Sequence, residues 1–565
     1  MRKPILQNTS LRRKAWVLVL VFCLLAGLLP AAGVAESDET FEYEPCEYQD
    51  GGQTLTGAVL TKYLGSDSAV AIPDTLGGYP VIEIGDWAFE DCEDIVSVTM
   101  PNSITSIGNY AFGRCAALEE IILSDSITRI GGSAFSSCVA LESIILPDSV
   151  TSIGDSAFWC CEALEDFIIP SGVTRIEGGT FEQCHSLKSI IIPDGVTYIG
   201  LEAFAGCDSL ETIVIPAGVT YVGGYAFVST PWLDNHSDKF VIVGDHVLVD
   251  FRGSETDVVI PDGVRHMAVS LFESWEDITS VTIPGSVVSV ASYAFSGCDS
   301  LERVVIRDGV TRIGNGAFWR CVSLKSITIP NSVTEIGSSA FFECVSLSNV
   351  TLPPHLTEIS YWLFEGSGLR SITIPNGVAY IGDEAFAYCD IISQVTIPNS
   401  VQGIGECAFV GCIYLTSIMI PGSVTEIGGG AFWDCENLKE VFFGGVPPEL
   451  KELWDGEHYV FEGTDPSLIL YYPSALAEHW APNGESTWQG QPIAPYTLNY
   501  GDANRDGKIT TADAALILRY IVKLDPLAGL GLINADANAD GKVTAADAAL
   551  ILRFIVRLEN KLGPR

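Results

Sequence analysis

Residues 141–161 read LESIILPDSVTSIGDSAFWCC, and residues 324–344 read LKSITIPNSVTEIGSSAFFEC. The stretches lie far apart, yet Leu, Ile, Pro, Val, Ile-Gly, Ala-Phe and Cys fall at the same offsets. Working outward, phenylalanine recurs at 89, 112, 135, 158, 181, 204 and 227, in steps of 23 residues. After a 45-residue gap it resumes at 272, 295, 318, 341 and 364, then at 386, 409 and 432, with one step shortened to 22. Fifteen such turns occupy residues 84–443. A fixed period of this length is the mark of a solenoid.

The physics of one turn is legible. Leu141, Ile144 and Leu146 give a short extended segment with alternate side chains inward. Pro147 stops it, because a ring nitrogen cannot donate to a ladder. Val150 to Ile153 form a second extended piece, Gly154 permits a sharp corner, and Ala157, Phe158 and Cys161 fill the far side. No single unit can bury its own apolar face, so the units must stack and share one core. At about 4.8 Å per stacked strand, fifteen turns predict a mainly β rod roughly 70 Å long.

Twelve of the fifteen phenylalanines are followed three residues later by cysteine, from Cys92 to Cys435. Sixteen cysteines in an exported chain would ordinarily suggest disulfides. One sulfur per turn, with no accompanying histidine column, instead predicts a ladder of small buried thiols rather than a metal or redox site. Thr230, Trp275 and Ser367 stand where the remaining turns would have cysteine, and Gln402-Gly403 is expected to weaken one turn. These units resemble the leucine-rich repeats of BspA-like bacterial surface proteins, with their I-P-x-[SG]-V-T-x-I-G-x-x-A-F-x-x-C signature. The resemblance implies a curved β-rich solenoid, surface exposure and binding of host or partner proteins.

The solenoid has an interruption and two covers. Residues 230–257 break the period, and Phe240 to Val243 and His246 to Phe251 predict a β-hairpin about Gly244-Asp245. Such a loop is either a recognition element or a tolerated bulge. Residues 36–83 and 444–499 lack the full signature and read as caps, the latter continuing into a linker; an uncovered solenoid end would be an apolar, aggregation-prone face.

Composition changes at residue 500. Asp502, Asn504, Asp506, Lys508, Thr510 and Asp513 occupy positions 1, 3, 5, 7, 9 and 12 of an EF-hand-type loop, with Gly507 at position 6. The pattern returns 34 residues later as Asp536, Asn538, Asp540, Lys542, Thr544 and Asp547. Oxygen ligands at these spacings wrap a hard cation, the lysines contribute backbone carbonyls, and position 9 often acts through water. Each loop runs into one helix, over 514–524 and 548–558, and no helix precedes either. Position 12 is Asp where a calcium sensor has Glu. Loop-plus-one-helix, duplicated, resembles a type I dockerin over 500–565. The resemblance implies a small all-α domain that holds two Ca²⁺ and docks onto a cohesin of a cellulosomal scaffold protein. It also implies that the partner is read by Thr511, Ala512, Arg519 and Lys523 on one helix and by Ala545, Ala546, Arg553 and Arg557 on the other. The alanine-rich pairs differ from the Ser-Thr found at these places in many clostridial dockerins.

Bulk properties exclude several functions. Residues 1–35 combine five basic residues with an apolar run from Ala15 to Leu29, Pro30 and small residues, and so predict a cleavable signal peptide. The run falls short of the roughly 20 residues that span a bilayer. Loss of those five charges takes the net charge from −41 to −46, which repels nucleic acid and anionic lipid. The expected location is extracellular, with attachment through a cohesin rather than membrane insertion. Catalysis is not expected, because repeats and caps consume residues 36–499 and the seven histidines share no register. Two roles remain for the solenoid: binding a protein or glycan, including as a surface adhesin, or serving as a passive spacer. One outward position favours binding. Ile122, Ile145, Ile168, Ile191 and Val214 form an aliphatic stripe over consecutive turns, larger than a monomer usually exposes, although β-branched residues also simply suit strands.

Overall fold

The computed structural model describes residues 40–50, 53–452, 460–506, 508–522, 527, 531, 534–538, 543–557 and 561–563. The chain winds into a β-solenoid of stacked coils, with helices concentrated near its C-terminus. Two narrow parallel ladders run along it. On one, Ile130 pairs with Ile153, and Ile176 with Ile199 and onward to Val222. On the other, Ile191 pairs with Val214, and Thr282 with Val305. Each strand is only two to four residues long over most of the repeats.

The third side of each coil is a succession of turns. The backbone N–H of Phe135 donates to Ala157 O at 2.8 Å, and that of Phe158 to Thr180 O at 3.0 Å, so one coil is stitched to the next through the phenylalanine. Each phenylalanine is flanked by two residues in the left-handed region; around Phe158 these are Ser156 at φ 55° and Cys160 at φ 58°. Most are not glycine, so stacking overrides a local preference that disfavours φ > 0. The glycine corner has a different cause from the expected one. Gly154 is not left-handed; a Cβ there would sit 2.5 Å from the backbone nitrogen of Gly132 in the preceding coil, and close approach excludes a side chain.

Inside, the phenylalanines stack, as in Phe112–Phe135 with centroids 5.4 Å apart and rings 1° from parallel. The ladder cysteines lie beside them. Cys161 Sγ donates to Phe135 O and Cys138 Sγ to Phe112 O, each at 3.2 Å. All fifteen described cysteines are free. The departures have local reasons. Thr230 caps the helix Pro231–Asp234, its hydroxyl accepting from Leu233 N at 3.2 Å and donating to Phe227 O at 2.7 Å. Trp275 packs its ring against Phe251 and Phe272. Ser367 meets Cys389 Sγ at 3.4 Å. Gly403 keeps its place in the ladder, paired with Tyr380.

The interruption is a hairpin, with Phe240–Val243 antiparallel to Val247–Phe251. It is not an appendage. Val247 and Leu248 pair in parallel with His266 and Met267, and the buried Phe251 packs on Phe272 at 5.6 Å. The hairpin thus stands in for a coil and joins two core clusters, one ending with Val247 and Ala268, the other beginning with Leu248.

At the N-terminal end, a hairpin of Phe41–Asp50 and Gln53–Tyr63 adds its second strand in parallel to Tyr79–Ile84, which leads into the first coil. Phe41 and Tyr63 cover Phe89. At the other end Ile469–Pro473 and Gln491–Tyr496 extend the ladder, and Trp480 and Trp488 close over Phe443. The expected signal peptide, residues 1–35, lies outside the described residues.

Candidate calcium-loop and docking site

Each calcium-type loop ends in a helix for a visible reason. Thr510 caps the helix Thr511–Ile521, and Asp513 reaches back to it, its Oδ2 accepting from Thr510 N at 2.8 Å. Thr544 and Asp547 repeat this capping box at Ala545–Ile555, again at 2.8 Å. Both helices therefore begin at loop position 10 rather than at 514 and 548. Ile517 and Ile551, with Ala514 and Ala548, form the small core between the helices.

In the first loop, Asp502 Oδ1 accepts from Asp506 N at 3.1 Å, Asn504 Oδ1 from Asp506 N at 2.9 Å, and Asp506 Oδ1 from Lys508 N at 2.9 Å. Asp513 Oδ1 accepts from Asn504 N at 3.1 Å. Asp502, Asp513 and Asp547 are buried. An all-oxygen donor set of this kind suits Ca²⁺. Among the described residues, no three carboxylate, histidine or cysteine side chains converge closely enough to hold a metal; the loop oxygens are turned to backbone amides instead. In the second loop Asp536 and Asn538 are described, whereas Asp540 and Lys542 lie outside the described residues, as does Lys523.

The expected partner-reading residues Thr511, Ala512, Arg519, Ala545, Ala546, Arg553 and Arg557 are all exposed. Beside them, Leu518 and Val522 on one helix match Leu552 and Val556 on the other, with Val522 and Val556 each 63% exposed. The duplicated helices thus present two similar faces of apolar and basic character.

Sequence reasoning missed how closely the module is held. Five residues separate Tyr496, the last of the terminal strand, from Asp502. Ser474 Oγ, in the cap, donates to Tyr496 O at 2.8 Å and lies 3.1 Å from Thr497 Oγ1. Two residues on, Asn499 N donates to Asn534 Oδ1 at 3.1 Å. The connection is pinned at both ends. Beyond it, Tyr520 and Gln394 exchange hydrogen bonds at 2.8 and 3.0 Å, and Arg505 approaches Glu440 at 3.8 Å. Phe554, the counterpart of Tyr520, has no hydroxyl for such a bond, and that difference is the only sequence signal of the contact.

On the solenoid, Ile122, Ile145, Ile168, Ile191 and Val214 are all exposed, whereas Val305 and Met419 at equivalent places are half-buried. The shallow cleft lined by Tyr361, Trp362, Asp383, Glu384 and Glu406 carries no nucleophile–base pair.

The repeats match the BspA type Leucine rich repeat region over residues 69–184, 105–234, 251–370 and 363–464. Residues 500–556 match the Dockerin type I domain. The chain belongs to the BspA-type leucine-rich repeat family and carries a dockerin at its C-terminal end. It is similar to a leucine rich cell surface protein from Faecalibacterium prausnitzii, with 31% identity, 66% of this chain and 94% of that chain covered, and a TM-score of 0.34. A leucine-rich repeat protein from Bacteroides ovatus shares 27% identity over 68% and 94% of the two chains, with a TM-score of 0.30. The T. pallidum leucine rich repeat protein shares 34% identity over 34% and 88%, with a TM-score of 0.32. The curated proteins gave no match. Repeats and dockerins are both non-catalytic interaction modules; dockerins of type I bind calcium and dock onto cohesins. Among the described residues no helix is long and apolar enough to cross a membrane.

Proposed function

We propose that this is a secreted interaction protein whose dockerin, residues 500–565, attaches it to a cohesin on a scaffold protein of a polysaccharide-degrading assembly. Residues 36–83 and 444–499 cap the solenoid between them, and the solenoid binds a protein or glycan ligand on behalf of that assembly. The observation that carries the attachment is the duplicated loop-helix unit, whose two helices expose matching apolar and basic faces. In this reading two Ca²⁺ ions are held by Asp502, Asn504, Asp506, Lys508, Thr510 and Asp513 and by Asp536, Asn538, Asp540, Lys542, Thr544 and Asp547. The cations convert mutually repelling carboxylates into folding free energy. Thr511, Ala512, Arg519, Lys523, Ala545, Ala546, Arg553 and Arg557 then read the cohesin.

Calorimetry of the intact chain against cohesins of its source organism tests this. Binding is expected in calcium and absent in chelator. Replacing Arg519, Lys523, Arg553 and Arg557 together by Ala should abolish it without loss of calcium binding, since none contributes a side-chain ligand. An intact chain that binds none of these cohesins in calcium would show the attachment to be wrong.

A further inference from the structure

The aliphatic stripe of the N-terminal coils has dimensions, charge and chemistry that select a partner. Ile122, Ile145, Ile168, Ile191 and Val214 are 50%, 55%, 48%, 58% and 50% exposed. They occupy the same outward position in successive coils; Ile191 lies directly across from Val214 in the ladder. At about 4.8 Å per coil, the stripe is about 19 Å long and one side chain wide. The chain immediately around it is acidic. Within three residues of a stripe member lie nine carboxylates and one ammonium, Lys188. That ammonium is itself paired with Glu165 at 2.8 Å.

We infer that this stripe is the seat of a basic amphipathic helix belonging to a partner protein. The inference rests on, and narrows, the reading of the solenoid as a ligand binder. Helical pitch is about 5.4 Å, so apolar residues spaced three and four apart meet the coils nearly one for one over about 14 residues. An extended strand repeats each face every ~6.6 Å and drifts out of step within three coils. It would also need an open ladder edge, whereas the stripe lies on a face. A second copy of the chain would set two acidic rims against each other, and like charges across an interface act against pairing. An anionic lipid surface is repelled in the same way. A glycan's hydroxyls would meet aliphatic carbon where they need hydrogen-bond partners. A helix with leucines on one face and Lys or Arg along its flanks satisfies both the stripe and its rim.

Fluorescence anisotropy of the full chain in calcium, with a labelled 14-residue peptide carrying leucines at 3,4 spacing and lysine or arginine elsewhere, tests this. Binding should be measurable at micromolar concentration, fall at least about tenfold in the Ile145→Ser/Ile168→Ser double variant, and weaken about fivefold between roughly 0.15 and 0.5 M salt. Thr373→Ala, on the exposed row of the C-terminal coils, should leave it unchanged. A peptide that does not bind, equal binding by the double variant, or equal binding of a peptide with glutamate in place of the basic residues would overturn the inference. So would light scattering that shows a dimer dissolved by Ile168→Ser, because the occupant would then be a second copy. A ligand recovered from culture medium by parent and double variant alike would overturn this inference while leaving the solenoid a binder.

Discussion

From Cys115 onward each ladder thiol is buried between coils, and its S–H donates to the phenylalanine carbonyl of the preceding coil. Burial raises the pKa of these thiols, to about 12 at Cys207, Cys298, Cys389 and Cys435. The nucleophilic thiolate is therefore scarce at neutral pH. In the native chain a thiol reagent at pH 8 should modify the half-buried Cys46, Cys92, Cys160 and Cys407 first and the rest of the ladder only slowly; after denaturation without reductant nearly all should react. Ladder disulfides found by mass spectrometry would contradict this. The column was legible because one sulfur per coil has no second ligand. The left-handed residues on either side of each phenylalanine were not legible, since Trp87, Tyr110 and Glu343 carry no signature for φ > 0. Glu365 is another residue-scale case. Burial, followed by the carboxylates of Glu384 and Glu343, pushes it up to about 7. Its folded pKa thus lies above its unfolded value of about 4.3. The protonated form is favoured by folding, so the contribution to stability is present below that lower value and is lost as pH rises through 7. Thermal unfolding should show Glu365→Gln similar to the parent at pH 4 and more stable at pH 8; a constant difference across that range would refute the assignment.

Among the elements, the duplicated helices depend most on something outside their own sequence. Their capping carboxylates, Asp513 and Asp547, are also loop position 12. Removing the cation should therefore loosen the loop and the first helical turn together. Hydrogen exchange of the full chain should accelerate sharply at amides 511–521 and 545–555 in chelator and return with calcium, while the coils stay protected. Protection unchanged in chelator would count against calcium-coupled folding. The loops were readable because ligand spacing is a property of contiguous sequence. The role of the hairpin was not. Alternating apolar residues predicted its strands, but the pairing of Val247 and Leu248 with His266 and Met267 is set by stacking and leaves no local trace. The interruption is a joint in the core, which narrows its room to act as a recognition loop.

For the molecule as a whole, the dockerin resemblance implies that either helix can face the cohesin. Arg519→Ala/Lys523→Ala should leave affinity within about threefold, because Arg553 and Arg557 substitute, whereas the quadruple variant should lose at least about a hundredfold. Loss of binding on removal of one pair alone would show a single docking face. The contact of Tyr520 with Gln394 bears on that outcome, since it fastens the first of the two helices beside the solenoid. Apart from the Tyr520–Phe554 difference the sequence carries no sign of it, because its partners are 126 residues apart. The pinned connection between Thr497 and Asn499 has a mechanical consequence. A loosely tethered module would let the rod sweep through a hemisphere around its anchor. Here a clamp at the join fixes the stand-off instead: whatever occupies the coil of Ile168 is carried about fourteen coil spacings from the terminal strand, roughly 65 Å along the stack. Lengthening the tether would trade that fixed bearing for reach.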